Sequence, residues 1–381
     1  MRGWAVRPTS FVINHYDKGC PNRPMKSFRF PLLSVVFLAI AGLLSACGGI
    51  VLPSGFPGVS TDQKTAFLAF NQYIYAVDLS NGTQKWRYPE KGSTAITFFA
   101  APALTPDGQL IVGGYDNKLY SLDPATGVEK WQFAEAKDRF VGGALVTPQG
   151  IFAPSADDNL YALNFAGKKL WTFTTKGPNW ATPGTNVQCN CIYLASMDHF
   201  LYALNAGNGA VLWKTDLGFA MAGTPTWGSD NTLYIGNFGS QMVSLNAQDG
   251  SVRWKTTLQG WVWGGPGLDG KNLYFGDLNG NFYKLQASDG KILWKINSDG
   301  PITGSPLVTL DAIYFTTDAG SLYAITGEST IKWNAPVGGK IYSPPVMAGD
   351  NILVSPEGTD SVLAAYQANG TLVWPKFIPP K

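Results

Sequence analysis

The sequence predicts an all-β fold built from repeated short strands, and its composition gives the first evidence. Of 381 residues, 44 are glycine and 25 are proline, which interrupts the chain too often for a helix bundle. Aromatic residues make up 13% and charged residues 14%, so the chain is too aromatic for disorder and too weakly charged for a coiled coil. The net charge of +2 gives no sign of a polyanionic partner, and we predict no nucleic-acid binding.

An internal repeat defines the structural unit. Each copy has a Tyr-x-Leu-Asp/Asn phrase, a turn and a tryptophan, as in Tyr202–Gly209 before Trp213. The alternation of large side chains in Tyr-x-Leu is typical of a β-strand. Seven of the eight copies have a glycine four residues before the tryptophan, and glycine permits the positive φ of a tight turn. The repeated tryptophans, spaced 39–45 residues apart, are Trp86, Trp131, Trp171, Trp213, Trp254, Trp294, Trp333 and Trp374.

Two further short strands precede each phrase, so each copy supplies four strands in about 40 residues. Eight such copies predict an eight-bladed β-propeller of four-stranded antiparallel blades, because a blade buries both faces only when the ring closes. We assign residues 55–381 to this single domain, with the first strand near Phe56–Ser60. A linear solenoid is the competing architecture, although β-solenoid repeats are usually shorter.

The sequence before the propeller predicts export and a membrane anchor. A basic stretch at Met25–Arg29 runs into the apolar segment Pro31–Leu44, which has the length of a signal-peptide core and is short for a membrane span. Leu44-Ser45-Ala46-Cys47 resembles a bacterial lipobox, in which Cys47 is lipidated and becomes the first mature residue. An ordinary signal peptide with an incidental cysteine is the alternative.

These features divide the N-terminal part of the chain into three predicted segments. Residues 1–24 have no apolar run and fit a mis-annotated extension upstream of Met25; residues 25–46 are the lipoprotein signal peptide, and 47–54 a tether. Residues 1–46 hold six Lys/Arg and one acidic residue, so the chain from Cys47 has 22 basic and 25 acidic residues, a net charge of −3. The positive net charge of the full sequence therefore comes from the leader. Because Cys47 is predicted to carry a lipid, we expect the mature protein to be anchored to a membrane rather than to span it.

The repeated phrase resembles the pyrroloquinoline-quinone (PQQ) repeat over about residues 55–374. The resemblance implies a propeller with tryptophans packed between blades, but not the quinone itself. Quinoprotein dehydrogenases of similar repeat are longer and place PQQ near two adjacent disulfide-bonded cysteines, a calcium ion and a catalytic aspartate. This chain has no adjacent cysteine pair, so we predict neither a PQQ–calcium site nor any other cofactor.

No set of catalytic or metal-binding residues stands out from the scaffold. Cys189 and Cys191 lie on a predicted turn, either as a disulfide favoured by an oxidising compartment or as two free thiols. His199 is the only histidine of the mature chain and lies on another predicted turn. Asp277–Asn281 has some calcium-loop character but lacks the later glutamate, and with Asp157 and Asp158 it matches the repeated turn position.

One pattern at the start of the blades is a candidate binding site. Three residues before the first-strand proline, or its equivalent, the copies have Gly55, Phe99, Val141, Trp180, Ala222, Trp263, Thr303 and Tyr342. Large aromatic and smaller residues alternate, and innermost first strands would bring Phe99, Trp180, Trp263 and Tyr342 to one mouth of the channel. The alternation is either blade packing or an aromatic collar that contacts a peptide, sugar or planar ligand.

A lipobox followed by eight such blades is similar to the propeller lipoproteins of the outer-membrane β-barrel assembly machinery. The resemblance implies a non-catalytic, lipid-anchored scaffold with an envelope protein as partner, at the outer membrane or, in a single-membrane bacterium, at the cell surface. The alternative is a PQQ-dependent dehydrogenase-like enzyme, or a sugar or small-molecule sensor, that uses the central channel.

Overall fold

The computed structural model describes residues 57–186, 188–228 and 230–380. Gly55–Lys381 form one compact unit. The predicted extension, signal peptide and tether, with Cys47 and Gly55, lie outside the described residues. The described part of the chain is all-β, and no helix in it is long and apolar enough to cross a membrane.

The first four blades comprise sixteen strands. In blade one these are β1 Gly58–Thr61, β2 Thr65–Phe70, β3 Tyr73–Asp78 and β4 Gln84–Tyr88. Blade two has β5 Ala103–Leu104, β6 Leu110–Gly113, β7 Leu119–Leu122 and β8 Glu129–Phe133. Blade three has β9 Leu145–Thr147, β10 Gly150–Pro154, β11 Asn159–Leu163 and β12 Lys169–Thr174. Blade four has β13 Gly184–Asn186, β14 Cys191–Ala195, β15 Phe200–Asn205 and β16 Val211–Asp216.

The other four blades continue the series. Blade five has β17 Thr226–Gly228, β18 Thr232–Asn237, β19 Gln241–Asn246 and β20 Val252–Thr257. Blade six has β21 Gly267–Leu268, β22 Asn272–Gly276, β23 Asn281–Gln286 and β24 Ile292–Asn297. Blade seven has β25 Leu307–Val308, β26 Ile313–Thr316, β27 Ser321–Ile325 and β28 Ile331–Pro336. Blade eight has β29 Val346–Ala348, β30 Asn351–Val354 and β31 Ala364–Gln367.

Each blade is an antiparallel sheet whose strands pair in chain order. The first strands of neighbouring blades contact one another, as β13 contacts β17 and β17 contacts β21, so the first strands line the centre of the ring. These strands start at one face of the ring, which we call the mouth face. The turns between the second and third strands lie at the same face. The eight-bladed architecture predicted from the repeat is confirmed.

The outer edge of blade eight is less regular than that of the other blades. Its sheet has three named strands, and the segment after β31 pairs through the isolated bridges Tyr366↔Leu372 and Leu363↔Phe377, the second just before β31. Trp374 nevertheless occupies the same place in the repeat as the other seven tryptophans. Blade eight thus has a fourth, discontinuous strand.

Each repeated tryptophan links its blade to the next one. Its indole Nε1 donates a hydrogen bond of 2.8–3.1 Å to a backbone carbonyl in the turn after the neighbouring blade's third strand. In the last of these links Trp374 donates to Leu79 O, which joins blade eight to blade one and closes the ring. The apolar core follows the same plan, in eight clusters that each lie between two neighbouring blades.

The glycine found in seven of the eight repeats makes room for this link. At Gly127, φ is +74°, and a Cβ atom would lie 2.6 Å from Cε3 of Trp86 in the preceding blade. The same close approach occurs at the corresponding glycines of six other blades. Blade seven has Ser329 at this position, where φ is +67°, a left-handed conformation that is uncommon for a residue with a side chain.

We expect Gly127→Ala to destabilise the protein more than Gly108→Ala. Both glycines belong to blade two and have φ of +74°, but nothing lies within 4 Å of a Cβ placed at Gly108. Both substitutions should cost about 1–2 kcal/mol for the left-handed backbone. Gly127→Ala should cost about 1–3 kcal/mol more, because Trp86 must move. Denaturant unfolding of the two variants measures the difference, and equal losses would contradict the role given to the glycine.

Candidate functional site

The inner strands surround a central channel, and a cavity of about 210 Å³ lies at its mouth. All eight blades contribute to its lining. Seven of the eight positions predicted from the sequence line it, namely Phe99, Val141, Trp180, Ala222, Trp263, Thr303 and Tyr342. The eighth, Gly55, lies outside the described residues, and in blade one Pro57 and Gly58 line the cavity.

A glycine next to these positions keeps the cavity narrow. Cβ atoms added at Gly142, Gly223, Gly264 and Gly304 would lie 2.6–2.8 Å from backbone atoms of the following blade. Real Cβ atoms do not come that close, so a larger residue would force the inner strands apart. The glycines therefore allow eight inner strands to converge on a small central space.

Aromatic side chains cover the mouth on the side of blades four to six. The rings of Trp180 and Trp263 stack with centroids 6.3 Å apart and planes inclined by 28°. These residues belong to blades four and six, and the small Ala222 of blade five occupies the position between them in the ring. On this side, the alternation of large and small residues lets aromatic rings from alternate blades meet.

The stacked rings continue outward across the mouth face. Phe238 lies 5.1 Å from Trp263 and 5.4 Å from Trp261, ring centre to ring centre, and its plane is inclined by 16° to that of Trp261. Phe219 packs against Gly239, where an added Cβ would lie 2.2 Å from the Phe219 ring. Trp261 is 52% exposed and Phe219 44% exposed. The rings of Trp180, Trp263, Phe238 and Trp261 form a continuous series of contacts, which we call the aromatic row.

Phe219, Phe238 and Trp261 are functional candidates that the repeat pattern did not predict. Phe219 and Trp261 lie in the loops between blades, and Phe238 lies in a hairpin turn of blade five. Backbone hydrogen bonds hold these loops together, from Phe238 N to Ala220 O and from Leu278 N to Trp261 O. A surplus of aromatic residues in loops, beyond those of the repeat, was the signal that could have found them.

The indole N–H of Trp180 has no hydrogen-bond acceptor among the described residues of the propeller. Its indole Nε1 is buried and has no hydrogen-bond partner among the residues that the structure describes. Leaving a buried donor unpaired costs about 1–3 kcal/mol, so such atoms are uncommon in folded proteins.

The opposite side of the mouth, in blades seven and eight, presents hydroxyl groups. The hydroxyls of Ser343 and Ser355 lie 2.8 Å apart, and Ser355 Oγ donates to Pro57 O at 3.0 Å. Thr303 Oγ1 donates to Asp318 Oδ1 at 2.8 Å. Of the residues lining the cavity in the described structure, none is charged. The described lining is thus aromatic on one side and hydroxyl-bearing on the other, and the Asp318 carboxylate accepts a hydrogen bond from one of its hydroxyls.

The other sequence candidates lie in turns. The structure joins Cys189 and Cys191 in a disulfide, at the turn between the first two strands of blade four and away from the mouth face. His199 lies in a hairpin turn with φ of +77° and is exposed. Asp277 is fully buried, and its carboxylate accepts hydrogen bonds of 2.9–3.0 Å from Asn279 N, Asn281 N and Nδ2, and the Tyr283 hydroxyl. These bonds hold the turn of blade six together.

A larger cavity, of about 880 Å³, lies at the opposite face between blades one and eight. It is lined by turn residues that include Lys64, Asp78 and Asp350. Smaller grooves of the same kind lie between blades five and six and between blades six and seven. Because the repeat itself produces these grooves, we base the candidate site on the mouth.

Comparisons with known proteins assign the family. Residues 70–196, 197–266 and 261–332 match the family described as "Outer membrane protein assembly factor BamB". The chain belongs to this family. No curated protein sequence matches the chain.

Solved structures show the same fold at low sequence identity. BamB from Moraxella catarrhalis matches 81% of this chain and 93% of its own length, with 17% identity and a TM-score of 0.68. A computationally designed protein, Ika8, matches 82% and 96%, with 12% identity and a TM-score of 0.71. A europium-containing methanol dehydrogenase matches 83% of each chain, with 14% identity and a TM-score of 0.65. At these identities the matches establish the fold alone.

The residues at the mouth do not fit a PQQ–calcium centre. PQQ is a planar tricarboxylate, and a calcium ion beside it needs oxygen ligands, usually including carboxylates. The described lining of the cavity supplies neither a cation for the quinone nor a carboxylate for the metal. Within the described residues, no three His, Cys, Asp or Glu side chains are grouped as a metal site.

We expect Asp318→Asn to stabilise the protein at neutral pH. Burial raises the pKa of Asp318 above its ordinary value, and this effect outweighs the opposing ones of the Thr303 hydroxyl and Lys340. A raised pKa means that folding disfavours the carboxylate, so its penalty is absent at low pH and develops as the pH rises through the folded pKa. The variant should melt about 1–3 °C higher at pH 7, with the difference shrinking towards pH 4.

Asp249→Asn is the matched control. Hydrogen bonds from the Ser251 side chain and backbone lower the pKa of Asp249, so loss of this carboxylate should not raise stability at pH 7. Thermal melts of both variants between pH 4 and pH 8 make the comparison. An Asp318→Asn melting temperature that is unchanged or lower at pH 7 would contradict the predicted penalty.

Proposed function

We propose that this protein is an exported, lipid-anchored, non-catalytic scaffold that takes part in outer-membrane protein assembly. The observation that carries the proposal is the mouth cavity, whose described lining consists of aromatic, small and hydroxyl-bearing residues contributed by all eight blades. The family match supports a role in assembly, since the family is described as an outer-membrane protein assembly factor.

The N-terminal sequence supports the cellular location. The apolar segment before Leu44-Ser45-Ala46-Cys47 fits export followed by lipidation of Cys47. Described residues begin at Pro57, which lines the mouth cavity. Nine residues separate Cys47 from Pro57, so an extended chain places their Cα atoms at most about 35 Å apart. We infer that lipidation of Cys47 would keep the propeller within this chain length of the membrane.

Deletion of the gene tests this function. We expect the deletion to lower the amount of folded outer-membrane β-barrel proteins, measured by the heat-dependent mobility of these proteins on gels. The full chain should restore the amount, whereas Cys47→Ser should restore it incompletely because the chain is not anchored. Barrel-protein levels that do not change on deletion would refute the proposed role.

Addition of PQQ and calcium to the purified chain tests the alternative. Because no charged side chain lines the described cavity, we expect no shift in melting temperature and no new visible absorbance at saturating quinone. Asp318→Asn should behave in the same way as the unaltered chain. A saturable shift that requires both quinone and calcium would favour a cofactor-dependent enzyme over the scaffold.

A further inference from the structure

We propose that the disulfide between Cys189 and Cys191 is a thiol–disulfide exchange site that accepts two electrons from a protein carrying a pair of cysteine thiols. The partner's thiolate attacks Sγ of Cys189, and Cys191 is the leaving group. The inference goes beyond the proposed function. It needs from that function only export to a compartment in which disulfides form.

The turn that holds the disulfide does not need a covalent bond to keep its shape. Blade five has residues 230–232 (Asp-Asn-Thr) where blade four has residues 189–191 (Cys-Asn-Cys). The central residues, Asn190 and Asn231, have φ of +54° and +57°. Each of their carbonyls accepts a hydrogen bond of 2.8–2.9 Å from the backbone N–H that follows the third strand of the same blade. The two turns thus have the same backbone, and only one of them has a disulfide.

The disulfide also adds little restraint to the unfolded chain. Its two cysteines are only two positions apart, and a disulfide stabilises a protein more when it closes a longer loop. The other seven blades make the corresponding turn without cysteine. A stabilising role therefore does not account for the pair.

The two cysteines differ in access to solvent. Cys189 is exposed at the turn, whereas Cys191 is 5% exposed and packs in the apolar cluster between blades four and five. Exchange depends on which sulfur an incoming thiolate can reach, and exposed disulfides are the labile ones. The attack is therefore directed to Cys189.

Groups beside the two sulfur atoms can hold the products of exchange. The Tyr193 hydroxyl oxygen lies 3.6 Å from Cys189 Sγ, and Cys191 Sγ lies 3.3 Å from Cys189 O. Burial raises the pKa of Tyr193, so its hydroxyl stays protonated and can donate a hydrogen bond to a thiolate on Cys189. A thiol released on Cys191 can donate to the carbonyl of Cys189.

Exchange takes two steps. In the first, a partner thiolate forms a bond to Cys189 Sγ, the bond to Cys191 Sγ breaks, and Cys191 keeps the electron pair and takes a proton from solvent. In the second, the partner's other thiolate attacks the partner's sulfur in the mixed disulfide and releases Cys189 as a thiolate. The partner dithiol becomes a disulfide and loses two electrons and two protons, and the chain gains the two electrons.

Reaction with reduced thioredoxin tests the proposal, because thioredoxin carries a pair of reactive thiols. The purified full chain is mixed with a tenfold excess of the reduced protein without denaturant. Free thiols are then alkylated, and mass spectrometry of the tryptic fragment 177–214 measures the state of both cysteines. We expect most of the disulfide to be reduced within minutes, since exposed disulfides are more oxidising than structural ones. The melting temperature should change by less than about 2 °C, because the turn keeps its shape.

Single variants assign the roles of the two sulfur atoms. Cys191→Ser leaves the exposed cysteine as a free thiol, and Cys189→Ser leaves the buried one. Alkylation by iodoacetamide, followed on the same fragment, should be at least tenfold faster at Cys189 than at Cys191. Thermal melts check that both variants fold.

The pH profile of alkylation tests the part given to Tyr193. In the Cys191→Ser background, Tyr193→Phe keeps the ring that packs against Trp213 and removes the hydroxyl beside Cys189. The profile should move to higher pH, and the rate at pH 7 should fall about threefold or more. Tyr234→Phe is the matched control, since its hydroxyl likewise donates to a carbonyl of the following blade, but its blade has an aspartate in place of Cys189. It should leave the rate unchanged.

Reduction that occurs only after denaturant is added, or equal alkylation rates at the two cysteines, would overturn the proposal. An unchanged pH profile in Tyr193→Phe would remove Tyr193 from it. These measurements use the purified chain, whereas barrel-protein levels in the deletion strain test the assembly role. Either proposal can therefore fail without the other.

Discussion

The hydrogen bond from each repeated indole to a carbonyl of the next blade is the interaction on which this ring depends. It occurs eight times within a narrow range of distances. Each blade is built from one continuous segment of chain, so no shared strand closes the ring. The hydrogen bond from Trp374 to Leu79, 295 residues apart, therefore links blade eight to blade one, just as the other seven link consecutive blades.

The same link explains which parts of the fold were predictable. A tryptophan that must meet a carbonyl and a glycine in the neighbouring turn leaves a fixed spacing in the sequence, and that spacing gave the number of blades. The equal placement of the first strands also made the positions around the mouth predictable, from Phe99 to Tyr342. Blade eight lacks a continuous fourth strand because the chain after β31 makes only isolated bridges, which its intact tryptophan phrase did not reveal.

The outer part of the candidate site was not predictable because it depends on contacts between loops. Phe238 and Trp261 come from different blades and meet only when the ring is assembled. The pattern placed Trp180 and Trp263 at the mouth, but it could not show that they meet across the blade between them. The pairing of Cys189 and Cys191 was open for a different reason, since their spacing fits either oxidation state.

The architecture separates the scaffold from the surface that is available for binding. The indole N–H groups of the repeat donate hydrogen bonds to the neighbouring blade, whereas the N–H of Trp180 has no acceptor in the described structure. Glycines let the inner strands lie close together, which leaves a cavity of about 210 Å³ at the mouth. The repeat therefore determines the fold, whereas the function depends on residues outside the repeat.

Hydrogen–deuterium exchange of Trp374→Phe tests the central claim most directly. The substitution keeps an aromatic ring but removes the N–H that binds Leu79 O. If this bond closes the ring, exchange should rise in both blade eight and blade one, at opposite ends of the described chain, while Trp213→Phe should raise it in blades four and five. A rise confined to blade eight, with blade one unchanged, would contradict the account.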